Sequence, residues 1–216
     1  MKGEITNELI KQALSYKEYQ LLTRTLLEQD KTTGPNQSEA YINYTRLAEK
    51  RMAKWNKIGK LLPDLIEKLQ KIEQPMTWLV LTEAWCGDAG QSLPFMQKMV
   101  EHNANLKLKL LIRDEHPELM ERFLTNGAKS IPKLIALNKE LQVLGTWGPR
   151  PEPIQQEFLE NKQSQKMSGQ AFSEYMHLWY AKDKGLTMQL EFLAILEEWT
   201  QKLQSSPGRV ASSVNR

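Results

Sequence analysis

The pattern of the chain changes abruptly at Thr77, where Trp78-Leu79-Val80-Leu81-Thr82 forms an unbroken apolar run after 75 residues with no strand-like alternation. A run of this length reads as a strand buried on both faces, which requires layers on either side of its sheet. It leads into Trp85-Cys86-Gly87-Asp88 and then a helix to about Asn103, interrupted by Pro94. A second strand follows over Leu106 to Ile112, completing a βαβ unit and setting the class as α/β. Pro117 opens another helix, Glu118 to Leu124, closed by Asn126-Gly127. Ile131-Pro132 precedes a third strand, Lys133 to Leu137, and Asn138-Lys139-Glu140 turns it into a fourth, Leu141 to Thr146, as a hairpin.

The residues ahead of this unit read as helical. Ser15-Tyr16-Lys17-Glu18 is a capping box, and Tyr19, Leu22 and Leu26 follow at helical spacing, up to a stop near Asp30. The loop Lys31 to Gln37 carries a Gly-Pro pair, and Ser38 is the N-cap predicted for the next helix, whose buried stripe is Tyr41, Tyr44, Ala48, Met52 and Trp55. This loop is read as a helix connection, with a lid near Cys86 as the alternative. Pro63 divides that helix from a shorter one, Asp64 to Ile72. Beyond Trp147, the segment Gly148-Pro149-Arg150-Pro151-Glu152-Pro153 fixes a rigid turn, and helices resume over Ile154 to Asn161 and Ala171 to Lys182. In the final helix Met188, Phe192, Ile195, Leu196, Trp199 and Leu203 share one face. The predicted organisation is a helical N-terminal extension over 1–75 packing on the core, an α/β domain over 76–204 with a helical insert at about 152–184, and a flexible tail over 205–216.

Composition excludes little. Lys plus Arg is 29 against 26 Asp plus Glu, so the charge balance calls for no polyanionic partner and no nucleic acid. Charged residues interrupt the apolar positions of residues 1–19, and no apolar run approaches the roughly 20 residues of a membrane helix, so neither leader nor membrane span is expected. The chain has one cysteine, which rules out an intramolecular disulfide and fits a reducing, cytoplasmic setting. His102, His116 and His177 have no ligand spacing to each other or to Cys86, so no metal site is expected. The basic face Arg46, Lys50, Arg51, Lys54, Lys57 and Lys60 reads as a solvated side of its helix.

The order of elements and five motifs together resemble the thioredoxin family. Trp85-Cys86-Gly87-Asp88-Ala89 stands where that family has Trp-Cys-Gly-Pro-Cys, and Pro94 lies eight residues past Cys86 like the family's helix proline. Asp114-Glu115-His116-Pro117 matches its Asp-x-x-Pro, Ser130-Ile131-Pro132 its Gly-Ile-Pro, and Asn138 to Gly148 its turn-hairpin-Gly ending. The resemblance covers the central and C-terminal half of the chain, leaving out the extension and the stretch from Pro149 to Gly185. The closest likeness is to a bacterial group with Trp-Cys-Gly-Asp and a helical N-terminal segment. It implies a thioredoxin-like fold: a central mixed four-stranded sheet flanked by helices. It also implies a cis proline at Pro132 facing the active site, with Cys86 as the catalytic thiol.

A thiol at the end of a strand and the start of a helix meets unpaired backbone N–H groups, which favour thiolate, the nucleophilic form. In the family, the backbone of the residue before the cis proline binds an extended substrate, so Trp85, Gly87, Asp88, Ile131 and Pro132 are the implied substrate groove. Trp85 is read first as packing over the thiol. Two departures matter. Ala89 replaces the resolving cysteine, and Val80 stands where thioredoxins bury an Asp; both remove the second half of a dithiol cycle. Asp88 puts a carboxylate beside Cys86, predicting a less acidic thiol than proline or histidine would give.

The function expected is a monothiol thiol–disulfide oxidoreductase in cell redox homeostasis, in which Cys86 attacks and an external thiol resolves. Its partners are protein thiols or disulfides, or a low-molecular-weight thiol acting as co-substrate, with no other cofactor. The alternative is a redox-inactive thioredoxin-fold module that holds a protein partner between Cys86 and Pro132. A one-cysteine peroxidase fits less well, because Glu83-Ala84-Trp85 lacks the Pro and Thr that peroxiredoxins place ahead of their cysteine.

Overall fold

The computed structural model describes residues 3–205. Its first two helices, α1 (Asn7–Gln12) and α2 (Tyr16–Glu28), start where hydroxyls cap them. Thr6 accepts the Leu9 N–H, and at Ser15 both halves of the capping box form. Helix α3 (Glu39–Ile58) follows, then α4 (Pro63–Gln70), which Pro63 opens in its first turn. Ser38 is the residue before α3, but its side chain makes no capping bond.

Strand β1 (Met76–Thr82) leads into α5 (Gly87–Glu101) and β2 (Leu106–Ile112), which pairs parallel to β1 from Met76–Leu106 to Thr82–Ile112. A short helix α6 (Pro117–Glu121) precedes β3 (Lys133–Leu137), antiparallel to β1, and β4 (Val143–Trp147), antiparallel to β3. The sheet order is β2-β1-β3-β4. Helices α7 (Glu152–Ser164) and α8 (Gly169–Asp183) lie between β4 and the last helix, α9 (Leu186–Ser205). The expected mixed four-stranded sheet with flanking helices is therefore present.

Burial explains the arrangement. All five residues of β3 and nearly all of β1 are buried, as two central strands covered on both faces must be. The outer edge of β2 is met by Leu14, which exchanges backbone hydrogen bonds with Leu110 at 2.9 and 2.8 Å and so occupies part of an otherwise open edge. One core runs through extension and sheet, joining Tyr19, Trp55 and Leu65 to Trp78, Leu110 and Ile135. Helix α3 lies so close on α5 that a Cβ at Gly90 would come within 2.8 Å of the Ala48 carbonyl oxygen. Trp55 packs on Phe95 at 5.4 Å between ring centroids and donates its indole N–H to Gln91 at 2.5 Å. Trp199 of α9 packs edge-on to Trp78 and fills the space a side chain at Gly145 would need.

Several predicted boundaries shift for identifiable reasons. The buried stripe of α3 is Ile42, Thr45, Ala48, Met52 and Trp55, so Tyr41 and Tyr44 stand off it, with Tyr44 52% exposed. Thr45 belongs inside because its hydroxyl is shared between the Tyr41 carbonyl and the Thr32 hydroxyl. Strand β4 begins at Val143 because Leu141 takes a left-handed turn conformation (φ 62°), while the Asn138 side chain accepts the Gln142 N–H. Helix α6 ends at Glu121 because Thr125 and Ala128 pair across the Asn126-Gly127 turn. The tail expected over 205–216 lies outside the described residues, except for Ser205, which ends α9.

Candidate functional site

The turn after β1 delivers Cys86 to the N-cap of α5, where its backbone is extended and its Sγ accepts the Ala89 N–H at 3.4 Å. The thiol donates to the Ile131 carbonyl oxygen at 3.3 Å. The Ile131–Pro132 bond is cis, and Cys86 itself is only 5% exposed. Burial, then the Asp88 charge, pushes the Cys86 thiol up to about 12 against the opposing pull of the Ala89 and Asp88 N–H groups and Arg150. The helix terminus thus acts in the expected direction, and so does Asp88, but burial outweighs the terminus. Burial is what linear reasoning about the helix end omits.

Asp88 is itself buried and fully engaged. Arg150 donates to Asp88 Oδ2 from Nη2 at 2.6 Å and from Nε at 3.2 Å, and the Tyr180 hydroxyl donates to Oδ1 at 2.8 Å. Arg150 is fixed in turn by Gln155 at 2.9 Å and by stacking over Phe158 at 4.4 Å. The turn that aims Arg150 depends on Gly148, whose φ of 104° suits glycine and whose α-carbon abuts the Pro132 carbonyl, leaving no room for a Cβ. The chain beyond β4 therefore reaches back to the residue two past the cysteine from two separate elements, the turn that carries Arg150 and α8.

A pocket of about 740 Å³ opens over this thiol. Helix α3 contributes Tyr41, Tyr44, Leu47 and Arg51; the Cys86 turn supplies Trp85 to Asp88; α8 adds residues between Gly169 and His177, Glu174 among them; and Arg113, Lys129, Ser130, Ile131 and Arg150 also line it. Five of the six sequence-predicted site residues, Trp85, Cys86, Gly87, Asp88 and Ile131, line it; Pro132 does not. Trp85 is held edge-on by Tyr41 at 5.1 Å and covered by the Arg113 guanidinium at 5.1 Å, so it is a packed wall rather than a loose cover. The loop between α2 and α3 reaches the site through Thr33, whose hydroxyl accepts the Ala84 N–H at 2.8 Å and donates to the buried Glu83 carboxylate. That loop braces the turn below the cysteine, while α3 and α8 wall the pocket.

Arg51 and His177 meet over Gly87: a Cβ there would be 3.0 Å from His177 Cε1 and 3.2 Å from Arg51 Nη1. Burial, then the neighbouring Arg51, pulls the imidazole of His177 down to about 4 despite the Asp88 charge, so it is neutral at pH 7. Sequence reasoning misses Arg51, Arg150, His177 and Tyr180. Arg51 falls within the face read as solvated and basic, and the signal for its difference is spacing: Tyr41, Tyr44, Leu47 and Arg51 form their own stripe, one step round from the core stripe. Arg150 stands out as a charge between two prolines. His177 and Tyr180 carry no local signal, because α8 finds Asp88 only through the fold. Among the described residues, no group of three His, Cys, Asp or Glu side chains converges as a metal site, and no helix is long and apolar enough to cross a membrane.

A protein-family model described as Thioredoxin matches residues 34–167, well over half of the chain. The chain belongs to the thioredoxin family. The match begins in the loop before α3 and stops short of α8, so this thioredoxin-like protein carries the α8 part of its pocket wall outside the matched region. Among solved structures it is similar to a protein of unknown function from Pseudomonas aeruginosa, 20% identical, with a TM-score of 0.58 over 90% of this chain and 98% of that one. It is also similar to an HIV epitope-scaffold, 21% identical, with a TM-score of 0.51 over 85% of this chain and 98% of that one. At these identities the likeness is one of fold. No curated protein matches the chain in sequence.

Proposed function

We propose that the protein is a monothiol thiol–disulfide oxidoreductase with Cys86 as nucleophile. The observation that carries this reading is the position of Cys86 Sγ: N-cap of α5, beside the Ile131 carbonyl, at the base of an open pocket. The Cys86 thiolate attacks one sulfur of a disulfide R–S–S–R′, forming the mixed disulfide Cys86–S–S–R and releasing R′–S⁻, which takes a proton. An external thiolate R″–S⁻ then attacks the R sulfur, giving R–S–S–R″ and returning the Cys86 thiolate. Ala89 supplies no sulfur for an internal second step. The lone cysteine suits a reducing compartment, and we read the protein as cytoplasmic.

The raised thiol sets the pace without abolishing the step. Moving a thiol from 9 to about 12 cuts the thiolate present at pH 7 about a thousandfold. The more basic thiolate is the better nucleophile, and with a Brønsted slope of about 0.4–0.5 it recovers roughly 20- to 30-fold, leaving exchange some tens of times slower than for an ordinary cysteine. The same burial favours a second reading, a redox-inactive binding module. Treatment with glutathione disulfide across a pH series separates the two. The first reading expects a mass increase on Cys86 that rises with pH and is lost in Cys86→Ser; absence of any adduct up to about pH 12 supports the second.

A further inference from the structure

Arg51 differs from the other cations around the pocket. Arg150 is paired with Asp88, Arg113 with Asp114 at 2.8 Å, and Lys129 with Glu121 at 2.6 Å. Arg51 is half-buried, and among the described residues no carboxylate lies within ion-pair distance of its guanidinium. Of the acids lining the pocket, Asp88, whose charge acts on Arg51, already accepts three hydrogen bonds from Arg150 and Tyr180, and Glu174 accepts one from Gln170 at 3.2 Å. Beside Arg51, the Nδ1 atom of His177 is buried and has no hydrogen-bond partner. That nitrogen is closed off from the pocket, so of the two groups it is the half-buried guanidinium, which lines the pocket, that has hydrogen-bonding capacity within reach of a ligand.

We infer that this pocket binds a small organic carboxylate, with Arg51 holding the carboxylate. The guanidinium fork matches carboxylate geometry, and partial burial strengthens the pairing. The ligand is small because the space over Cys86 is about 740 Å³, within the roughly 300–1,000 Å³ usual for small-molecule sites. Its body lies against Tyr41 and Trp85, which offer rigid, flat surface. The Cys86 thiol at the base of the same pocket narrows the class, and this step rests on the oxidoreductase reading: the ligand is a carboxylate-bearing thiol or its disulfide, with the carboxylate at Arg51 and the sulfur directed at Sγ.

The test separates binding from exchange. Cys86→Ser protein is titrated calorimetrically with S-methylglutathione, a thioether that cannot exchange, and with its dimethyl ester, which lacks both carboxylates. Saturable binding of the thioether is expected, at least about tenfold tighter than the ester, as loss of a charge-assisted hydrogen bond implies. Arg51→Gln and Arg51→Lys, each added to Cys86→Ser, are expected to weaken the thioether about tenfold and leave the ester unchanged. The two variants together guard against one that misfolds, with circular dichroism as the check. No saturable binding at millimolar concentration, equal affinities for thioether and ester, or indifference to both Arg51 variants overturns the inference. In wild-type protein, adduct formation by glutathione disulfide is compared with that by uncharged hydroxyethyl disulfide. Binding of the thioether without any adduct defeats the oxidoreductase reading and leaves the carboxylate site standing. Adducts formed equally fast from both disulfides, unaffected by Arg51→Gln, defeat the site and leave exchange standing.

Discussion

Arg150 donates two hydrogen bonds to one oxygen of Asp88, from Nη2 at 2.6 Å and from Nε at 3.2 Å, joining residues 62 positions apart. Both side chains are nearly buried, at 10% and 9% exposure. The pair couples two properties of the molecule. It anchors the turn leading into the insert, and it holds a carboxylate beside Cys86, where the negative charge discourages thiolate and the guanidinium partly offsets it. The Tyr180 hydroxyl on the other Asp88 oxygen brings α8 into the same cluster.

Asp88→Asn is expected to lower the Cys86 pKa from about 12, because the Asp88 charge is the second cause of its elevation, while burial, the first, keeps it above the ordinary thiol value. The pH at which alkylation by iodoacetamide reaches half its limiting rate reads this directly, and an unmoved midpoint would show that the carboxylate does not act on the sulfur. The variant also leaves Arg150 buried without its counter-charge. A loss of about 3 kcal/mol in stability is expected, at the low end of what breaking a buried pair costs, since the amide still accepts hydrogen bonds.

Tyr180→Phe removes one donor from Asp88 and leaves the ring packing in place. The expected cost is about 1–3 kcal/mol, the penalty for leaving a buried charged acceptor short of a partner. It should appear as a lower urea midpoint at unchanged slope. Because Tyr180 ties α8 to α5, amide exchange is expected to accelerate over Gly169–Asp183 and not in β1 or β3. Uniform acceleration would mean that α8 is not an independently held wall.

Much of this fold is legible in the sequence because its signals are local. The apolar run at Trp78, the Ser15 capping box and the turn at Asn126-Gly127 each depend on neighbours within a few residues. Cys86 is legible as the N-cap of α5 for the same reason. What the sequence hides is long-range. Arg51 lies on α3, far ahead of Asp88, and Tyr180 sits 92 positions after it, so neither periodicity nor spacing could associate them. Tyr41 and Tyr44 look like core residues because aromatic residues at helical spacing usually are. Thr45 takes the interior place because Thr32 and the Tyr41 carbonyl satisfy its hydroxyl there. The raised Cys86 thiol is half legible: Asp88 is close by in the chain, but burial, the larger cause, depends on the packing of elements remote in sequence.

The Cys86 thiol also links stability to alkaline pH. Its folded-state pKa, about 12, lies above the unfolded value of 9, so below pH 9 the thiol is protonated in both states and contributes no pH dependence. Between pH 9 and 12 the unfolded chain ionises while the folded one resists, and stability falls. At about pH 11 the expected loss is about 2–3 kcal/mol. Buried tyrosines such as Tyr19 and Tyr180 titrate in the same direction, so the measurement is the difference between wild type and Cys86→Ser. Their stability gap should move by that amount between about pH 8 and pH 11; a constant gap would contradict the raised thiol.

Thr33→Val tests whether the extension braces the site. Thr33 is buried, accepts the Ala84 N–H at 2.8 Å and donates to Glu83, whose carboxylate also accepts the Asp114 N–H at 2.9 Å. Valine keeps the shape and removes both bonds, so about 2–3 kcal/mol is expected to be lost near neutral pH. Burial holds the Glu83 carboxyl above the usual carboxylate range, and the Thr33 bond works against that rise. Removing the bond should raise it further. The sign then follows: a raised carboxyl costs the folded state most at pH above its titration, where it must be charged without its donor, and least below, where it is protonated. The gap between wild type and Thr33→Val is therefore expected to narrow as pH falls through the Glu83 titration, though not to vanish, because the Ala84 N–H lacks its acceptor at every pH. A gap independent of pH would place the loss in packing and remove Glu83 from the account of how the extension supports the Cys86 turn.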